Sequence, residues 1–374
     1  MFRPLWIEID LRALRKNFKI IKDIVGERTK IIATVKQFAY GHGLVPVARE
    51  LSAMGVAYFG LGSIEEGIIL RSAGFKERML VLTAVLPQFA EYFLRYNITP
   101  AIVDIDFARK INAVAKKKGI VFPVHVKIDT GMGRLGPYYK DAYRFVRELS
   151  AFKHIALEGV FTHFPNADAD TEFTIYQISV FNDFIATLKK EGISFQHQHC
   201  ANSIGIMCYP YSHFTMVRPG LMLYGIRPSP DIDFTLQPVL SLKSKIVFIK
   251  KITKGMTVSY GRTYVAKKSS LVATVAIGYA DGYPWSLSNR AKVIIKDSFF
   301  NVVGRVCMDH VMVNLGNRED IKVGEEVILI GKKNTLQISA EEISLWAKTI
   351  PYEIVSRLSL RIPRTYKYAR SGRG

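Results

Sequence analysis

Several short apolar runs in this chain end in residues able to do chemistry. KIIATV closes on Lys36, followed by QFAYGHG; FPVHVKIDT carries Lys127 and Asp129 and leads to Arg134 in GMGRLG. IALEGVFT closes on His163, FQHQ runs into His199-Cys200-Ala201-Asn202-Ser203, and FTMV into Arg218-Pro219-Gly220. Alone, each has a plain explanation: an exposed lysine at a strand end, a satisfied structural histidine, a glycine turn. Together they describe a pocket for one kind of guest. A lysine amine condenses with an aldehyde, while a hydroxyl, free backbone N–H groups and arginines hold phosphate. Pyridoxal phosphate has both parts, and Lys36 is then its Schiff-base partner.

These residues meet only if the runs that carry them lie side by side. From about residue 30 to 225, β-rich runs (30–36, 57–63, 78–84, 99–104, 122–130, 155–163, 195–203 and 214–220) alternate with amphipathic segments such as 43–55, 105–119 and 174–192. That alternation predicts a parallel sheet with crossover helices, and eight such units predict a closed (β/α)8 barrel of the TIM type. Functional groups in such a barrel gather at the C-terminal ends of the strands, and phosphate is often held after strands 7 and 8. Ser203 and Gly220 fall there. No GxGxxG follows the first strand, which argues against a dinucleotide fold. Beyond RPSPDID (227–233) the runs become short, β-branched and separated by glycine or polar turns. They predict a mostly β domain over 231–374, interrupted by a helix at 339–350. The barrel domain then spans 1–230. Its first ten or so residues, part of a segment read as helically periodic, are expected to pack with the C-terminal domain.

Composition narrows the class. Hydrophobic residues make up 49% and charged residues 22% of the 374, which allows a sizeable core. No apolar run reaches the roughly 18 residues of a membrane span, and the N-terminus lacks the apolar centre of a signal peptide. A cytoplasmic protein without a membrane partner is expected. Cys200, Cys208 and Cys307 show no paired spacing, so neither a disulfide framework nor a metal site is expected. The net charge of +20 favours anionic ligands. No helix-turn-helix, zinc-finger or RNP-type motif accompanies it, so Lys116-Lys117-Lys118 and the basic tail are expected to be solvated surface, not a nucleic-acid site.

VKQFAYGHG, VKIDTGMGRLG, FTHF, CANS, VRPGLMLYG, VSYGRTY, IGYADG, GRVCMDH and PYEIV stand in the order found in alanine racemases. The chain resembles that family from RPLWIEIDLRALRKNF to LRIPR, across essentially its whole length. The resemblance implies a barrel-type pyridoxal-phosphate isomerase that interconverts L- and D-alanine, supplies D-alanine for peptidoglycan and works as a head-to-tail homodimer. It implies that Lys36 carries the cofactor and that Tyr40, Ser203, Gly220, Leu221 and Tyr352 hold its phosphate, with Asn202 also among the cofactor-binding residues. Arg218 would face the pyridine nitrogen, with His163 and His199 in its hydrogen-bond network. Arg134 would contact the ring oxygen and the substrate carboxylate. Lys127 matches a lysine that is carbamylated in many members, a change that inverts its charge beside Arg134. From the C-terminal domain, Tyr260 would be the second catalytic base and Met308 would bind substrate carboxylate through its backbone. Both would reach into the partner's barrel.

Two opposed bases suit racemisation. Lys36 on the D-isomer face and Tyr260 on the L-isomer face would exchange the α-proton without the substrate turning over. An ordinary tyrosine has a pKa of about 10, so the His163–Arg218 network would have to favour the Tyr260 phenolate. Arginine at the pyridine nitrogen, where many such enzymes place a carboxylate, would limit stray protonation at the cofactor carbon. The sequence departs from the family's usual pattern at Gln37-Phe38, Leu221 and Trp285, which bears on entrance shape and selectivity. The alternatives are a broad-specificity or serine racemase of the same fold and a non-catalytic cofactor-binding barrel. The latter lacks the C-terminal domain and its Tyr260. A basic-amino-acid decarboxylase shares the two-domain plan, but its Cys–Glu–Ser–Asp-type cluster is absent from the sequence.

Overall fold

The structure, a computed structural model, describes residues 3–227 and 235–368. The domain boundary expected near residue 230 lies outside the described residues, as does the end of the basic tail. The chain divides into two compact units. One comprises Asn17–Ala39 and Leu44–Leu223; the other comprises Met1–Lys16, Tyr40–Gly43 and Tyr224–Gly374.

Strands are numbered along the chain from β1 (Leu5–Asp10). The first unit contains β2 (Lys30–Thr34), β3 (Tyr58–Leu61), β4 (Arg78–Val81), β5 (Thr99–Ile102), β6 (Phe122–Lys127), β7 (Ile155–Phe161), β8 (His197–His199) and β9 (Met216–Val217). They pair in parallel in the order β8-β7-β6-β5-β4-β3-β2-β9. The ring closes where Thr215 N donates to Gln198 O at 3.2 Å and Arg218 N to Ala201 O at 2.9 Å. This is the eight-stranded barrel that the alternation predicts. Its interior includes Ile32, Tyr58, Leu80 and Met216, contributed by four strands.

The crossover helices start where their caps say they should. Ser63, Asp104 and Asp170 accept from the backbone N–H three residues on, opening Ile64–Ser72, Ile105–Lys117 and Thr171–Lys190. Helix Ile105–Lys117 buries Phe107, Ala108, Ile111, Val114 and Ala115, a single face at helical spacing. Each large apolar side chain buried this way contributes about 1.5–3 kcal/mol. The ladders are shorter than the apolar runs that announced them. β2 stops at Thr34, two residues before Lys36, and β8 stops at His199. The surplus apolar residues, Val35 and Ala201 among them, are fully buried although they lie past the last ladder pair. Apolarity alone therefore overstates strand length here.

The second unit is mostly β. It contains β10 (Leu240–Ile252), β11 (Thr257–Val258), β12 (Tyr264–Val265), β13 (Ser270–Val275), β14 (Lys292–Ile295), β15 (Ser298–Val302), β16 (Val311–Gly316), β17 (Glu326–Lys333), β18 (Leu336–Ile338) and β19 (Arg364–Lys367). One sheet runs β18-β17-β14-β15-β16-β13-β10-β1-β19, and β10 also pairs with β17. Its first half serves β1 and β17, its second half β13. β1 corrects the helical periodicity read at the N-terminus: Leu5, Ile7 and Ile9 are buried and their neighbours are not, a period of two. The helix begins only at Leu11, as Leu11–Val25. The helix expected over 339–350 is Ala340–Ala347, with Ser339 and Glu342 forming a capping box.

Among the described residues no helix is long and apolar enough to cross a membrane, and no cluster of His, Cys, Asp and Glu is arranged to hold a metal. The three cysteines are free.

Candidate active site

Lys36 leaves β2 through an unusual backbone. Gln37, Phe38, Ala39 and Tyr40 all have φ between 52° and 56°, in the left-handed region. A non-glycine residue there costs roughly 1–2 kcal/mol. Glu66, on helix Ile64–Ser72, offsets part of that cost. Its Oε1 accepts the Phe38 N–H at 3.1 Å and its Oε2 the Gly62 N–H at 2.8 Å. Lys36 is half-buried. Burial holds its amine below the usual lysine range, Arg134 and Arg218 push the same way, and Glu66 opposes them. A depressed amine has its lone pair available at more moderate pH, for condensation with a carbonyl or for taking a proton.

Lys127 points to the same side of β6 as His125, two residues earlier. It is 3% exposed, and its Nζ donates to Ile128 O at 2.6 Å. Burial, with the push of Arg218 and Arg134 against the pull of Asp129, brings its pKa down to about 7. Asp129 is engaged elsewhere. Its carboxylate accepts from the N–H groups of Gly131, Met132 and Gly133 at 2.7–2.8 Å and so shapes the GMGRLG loop. Arg134, in that loop, is exposed.

Arg218 is the hub of the site. It is 5% exposed; Nη1 donates to His199 Nδ1 at 2.7 Å and to His199 O at 2.9 Å. Nη2 donates to Thr162 O at 2.7 Å and Cys200 O at 3.0 Å, and lies 3.3 Å from His163 Nδ1. A guanidinium has no acceptor, so the imidazole nitrogens facing it must be bare. Burial first, then the charge of Arg218, holds both histidines well below their usual range. Each is neutral, with its proton on Nε2. Arg218, lowered by burial to about 10, stays charged at neutral pH.

Ser203 is buried, and its Oγ accepts the Gly220 N–H at 3.0 Å. Leu221 follows directly. The Asn202 side chain is a helix cap, its Oδ1 accepting from Gly205 N at 3.0 Å at the start of helix Ser203–Cys208.

The barrel unit thus holds Lys36, Lys127, Arg134, His163, His199, Asn202, Ser203, Arg218, Gly220 and Leu221. Tyr40, Tyr260, Met308 and Tyr352 belong to the second unit. There the Tyr40 and Tyr352 rings are neighbours, with centroids 6.2 Å apart. Tyr260 opens the short 3-10 turn Tyr260–Arg262 between β11 and β12 and is 74% exposed. Ser259 donates to Arg305 O at 2.7 Å and meets Cys307 Sγ at 3.4 Å. That ties the Tyr260 turn to the segment carrying Met308, itself 54% exposed. Trp285 lies under the Arg305 guanidinium, 4.3 Å from its ring centroid.

Sequence reasoning missed Glu66. Its place three residues after Ser63 reads as an ordinary capping box, and nothing local says that the carboxylate turns back to Gly62 and Phe38. It also missed His125, although the period of a strand puts that residue beside Lys127.

Family models for the N-terminal and C-terminal domains of alanine racemase match residues 9–228 and 239–366. An alanine racemase of Halothermothrix orenii is 42% identical over 98% of this chain and 97% of its own length. The solved alanine racemase of Clostridium difficile 630 superposes with a TM-score of 0.92 at 39% identity, covering 98% of this chain and 96% of that one. The structure from Bartonella henselae, described as an alanine racemase with covalently bound pyridoxal phosphate, superposes with a TM-score of 0.89 at 27% identity, covering 97% and 99%.

Proposed function

The chain belongs to the alanine racemase family, and from that premise we propose that it interconverts L- and D-alanine with pyridoxal phosphate held at the barrel mouth. The observation that carries this is Lys36, a half-buried amine lowered by burial and flanking arginines at a strand end. The donor set fits the cofactor. Lys36 provides the amine. The Ser203 hydroxyl and the Leu221 N–H provide phosphate donors, joined by the hydroxyls of Tyr40 and Tyr352, while the Gly220 N–H, which donates to Ser203 Oγ, would share that bond with the phosphate. Arg218 provides a partner for the pyridine nitrogen, and because a guanidinium only donates it keeps that nitrogen unprotonated. Bound there, the cofactor supplies a carbonyl for covalent linkage to an amine and a conjugated ring that acidifies the amino acid's α-C–H.

The protein's own groups do the rest. Arg134 and the Met308 N–H orient the substrate carboxylate. Lys36 Nζ takes or returns the α-proton on one face and Tyr260 Oη on the other. Neutral His163, with its proton on Nε2, has a donor to offer the Tyr260 phenolate. Lys127 is unprotonated in about half of the molecules near its pKa of about 7. That neutral amine is able to add carbon dioxide: an Nζ–C bond forms as one C–O π bond opens, one proton leaves to solvent, and a carboxylate replaces the neutral amine beside Arg218 and Arg134.

Tyr260 and Met308 stand largely in solvent on neighbouring turns, which suits groups that complete a partner's site in a head-to-tail homodimer. The place of work is the cytoplasm and the product D-alanine for peptidoglycan. A stereospecific assay for D-alanine formed from L-alanine by the purified protein with pyridoxal phosphate tests the assignment. Alanine should be turned over far faster than serine or lysine. Equal rates across that panel would replace alanine racemase by a broad-specificity racemase.

A further inference from the structure

His125 and Glu158 lie outside every role assigned above. His125 is fully buried on β6, with Nδ1 2.8 Å from His199 Nε2. Glu158 of β7 is on its other side. Glu158 Oε2 lies 3.5 Å from His125 Nε2, a charge contact outside hydrogen-bond geometry that leaves Nε2 without a hydrogen-bond partner. The same oxygen accepts from the Tyr58 hydroxyl at 3.0 Å and Arg78 Nη2 at 2.8 Å. Arg78 Nη1 is 2.7 Å from Oε1. Tyr58 and Arg78 begin β3 and β4, whereas His199 and Arg218 follow or end strands at the mouth. The row Arg218–His199–His125–Glu158 therefore runs from the mouth towards the opposite face of the barrel. It occupies built space: a Cβ on Gly159 would fall 2.5 Å from His125 Nδ1, so only glycine admits the ring.

The protons along this row can be counted. Arg218 only donates, so His199 Nδ1 is bare. Neutral His199 keeps its proton on Nε2 and donates it to His125 Nδ1. His125 in turn has its proton on Nε2, facing a carboxylate that only accepts. Burial holds both imidazoles low, which agrees with one proton on each.

We propose that Glu158 and His125 are positioning residues that lock His199 in its Nε2–H tautomer from the far end of the barrel, so that its bare Nδ1 keeps the Arg218 guanidinium in place for the cofactor ring. Without an acceptor at His125, the His199 proton is free to move to Nδ1, where it opposes an Arg218 N–H. Two donors then face each other in a buried site and the guanidinium must shift. The effect on catalysis rests on the function proposed above; the tautomer does not.

Nitrogen-15 NMR of the histidine-labelled holoenzyme reads the tautomer directly. The wild-type protein should carry the His199 proton on Nε2. A proton on Nδ1 there would overturn the proposal without any variant. His125→Leu removes the acceptor, whereas His125→Asn keeps an oxygen near the place of Nδ1. The leucine variant should show proton on His199 Nδ1 and lose about tenfold in kcat at nearly unchanged KM, and the asparagine variant should recover most of that. Equal kcat for the two variants at equal Tm, or an unaltered His199 pattern in the leucine variant, would equally overturn it. If the wild-type protein fails to racemise alanine, the assigned activity falls while the tautomer result still stands or falls by its own spectrum.

Discussion

Lys36 and Lys127 are both lysines among arginines, and their surroundings give them different work. Lys36 opens towards the mouth, and in the function proposed above it anchors the cofactor and also serves as a base. Lys36→Ala should therefore abolish racemisation measured from either enantiomer. Tyr260→Phe leaves the anchor intact. It should slow racemisation by roughly 10²–10⁴-fold, while exchange of the D-alanine α-proton with deuterated solvent persists and that of L-alanine is lost. Loss of both exchanges would contradict two separate bases. Lys127 carries a cost that depends on pH. Its folded pKa of about 7 lies below the ordinary value of about 10.4, so the unfolded chain binds its proton more readily. Stability from this group rises with pH between those values, and its cost is complete below the lower one. In buffer free of carbon dioxide, Lys127→Met should raise Tm most near pH 7 and less near pH 10, while activity falls. Calorimetry at the two pH values checks this; a Met variant less stable than wild type at pH 7 would contradict the sign.

At the scale of elements, the left-handed turn after β2 is the costly feature and Glu66 is its support. Glu66→Ala removes the acceptor of two backbone N–H groups. Urea unfolding should show a loss of about 2–3 kcal/mol, and Glu66→Gln should restore only part of it, because an amide N–H then faces a backbone N–H. Gly159→Ala should cost about 1–3 kcal/mol by overpacking against His125. Neither effect is legible in a run of letters. The strands were legible as apolar runs and their order as alternation, but their ends were not, because buried residues continue past the ladder. VSYGRTY is the clearest case. Its β-rich composition suits a strand, yet Gly261 at φ 67° and Ser259 at φ 68° break it into a turn that exposes Tyr260.

For the molecule as a whole, the proposed homodimer makes a quantitative prediction. A Lys36→Ala chain and a Tyr260→Phe chain each spoil both sites of their own dimer. In a mixed dimer with shared sites, one site carries both changes and the other carries neither. Coexpression in equal amounts makes half the dimers mixed, so about a quarter of wild-type activity should return. No recovery would mean that each chain completes its own site.

The kind of scaffold, and the candidate residues for the proposed chemistry, followed from the sequence by itself. Strand-end spacing, the switch from strand–helix alternation to short strands, and the order of motifs are one-dimensional properties. Tertiary structure alone decided the protonation of those residues. The approach of His199 to His125 spans 74 positions and that of Arg218 to His163 spans 55. Burial and Coulomb repulsion are sums over such distant neighbours, and they lower the amine of a strand-end lysine, bring another near pKa 7, and choose which histidine nitrogen is bare.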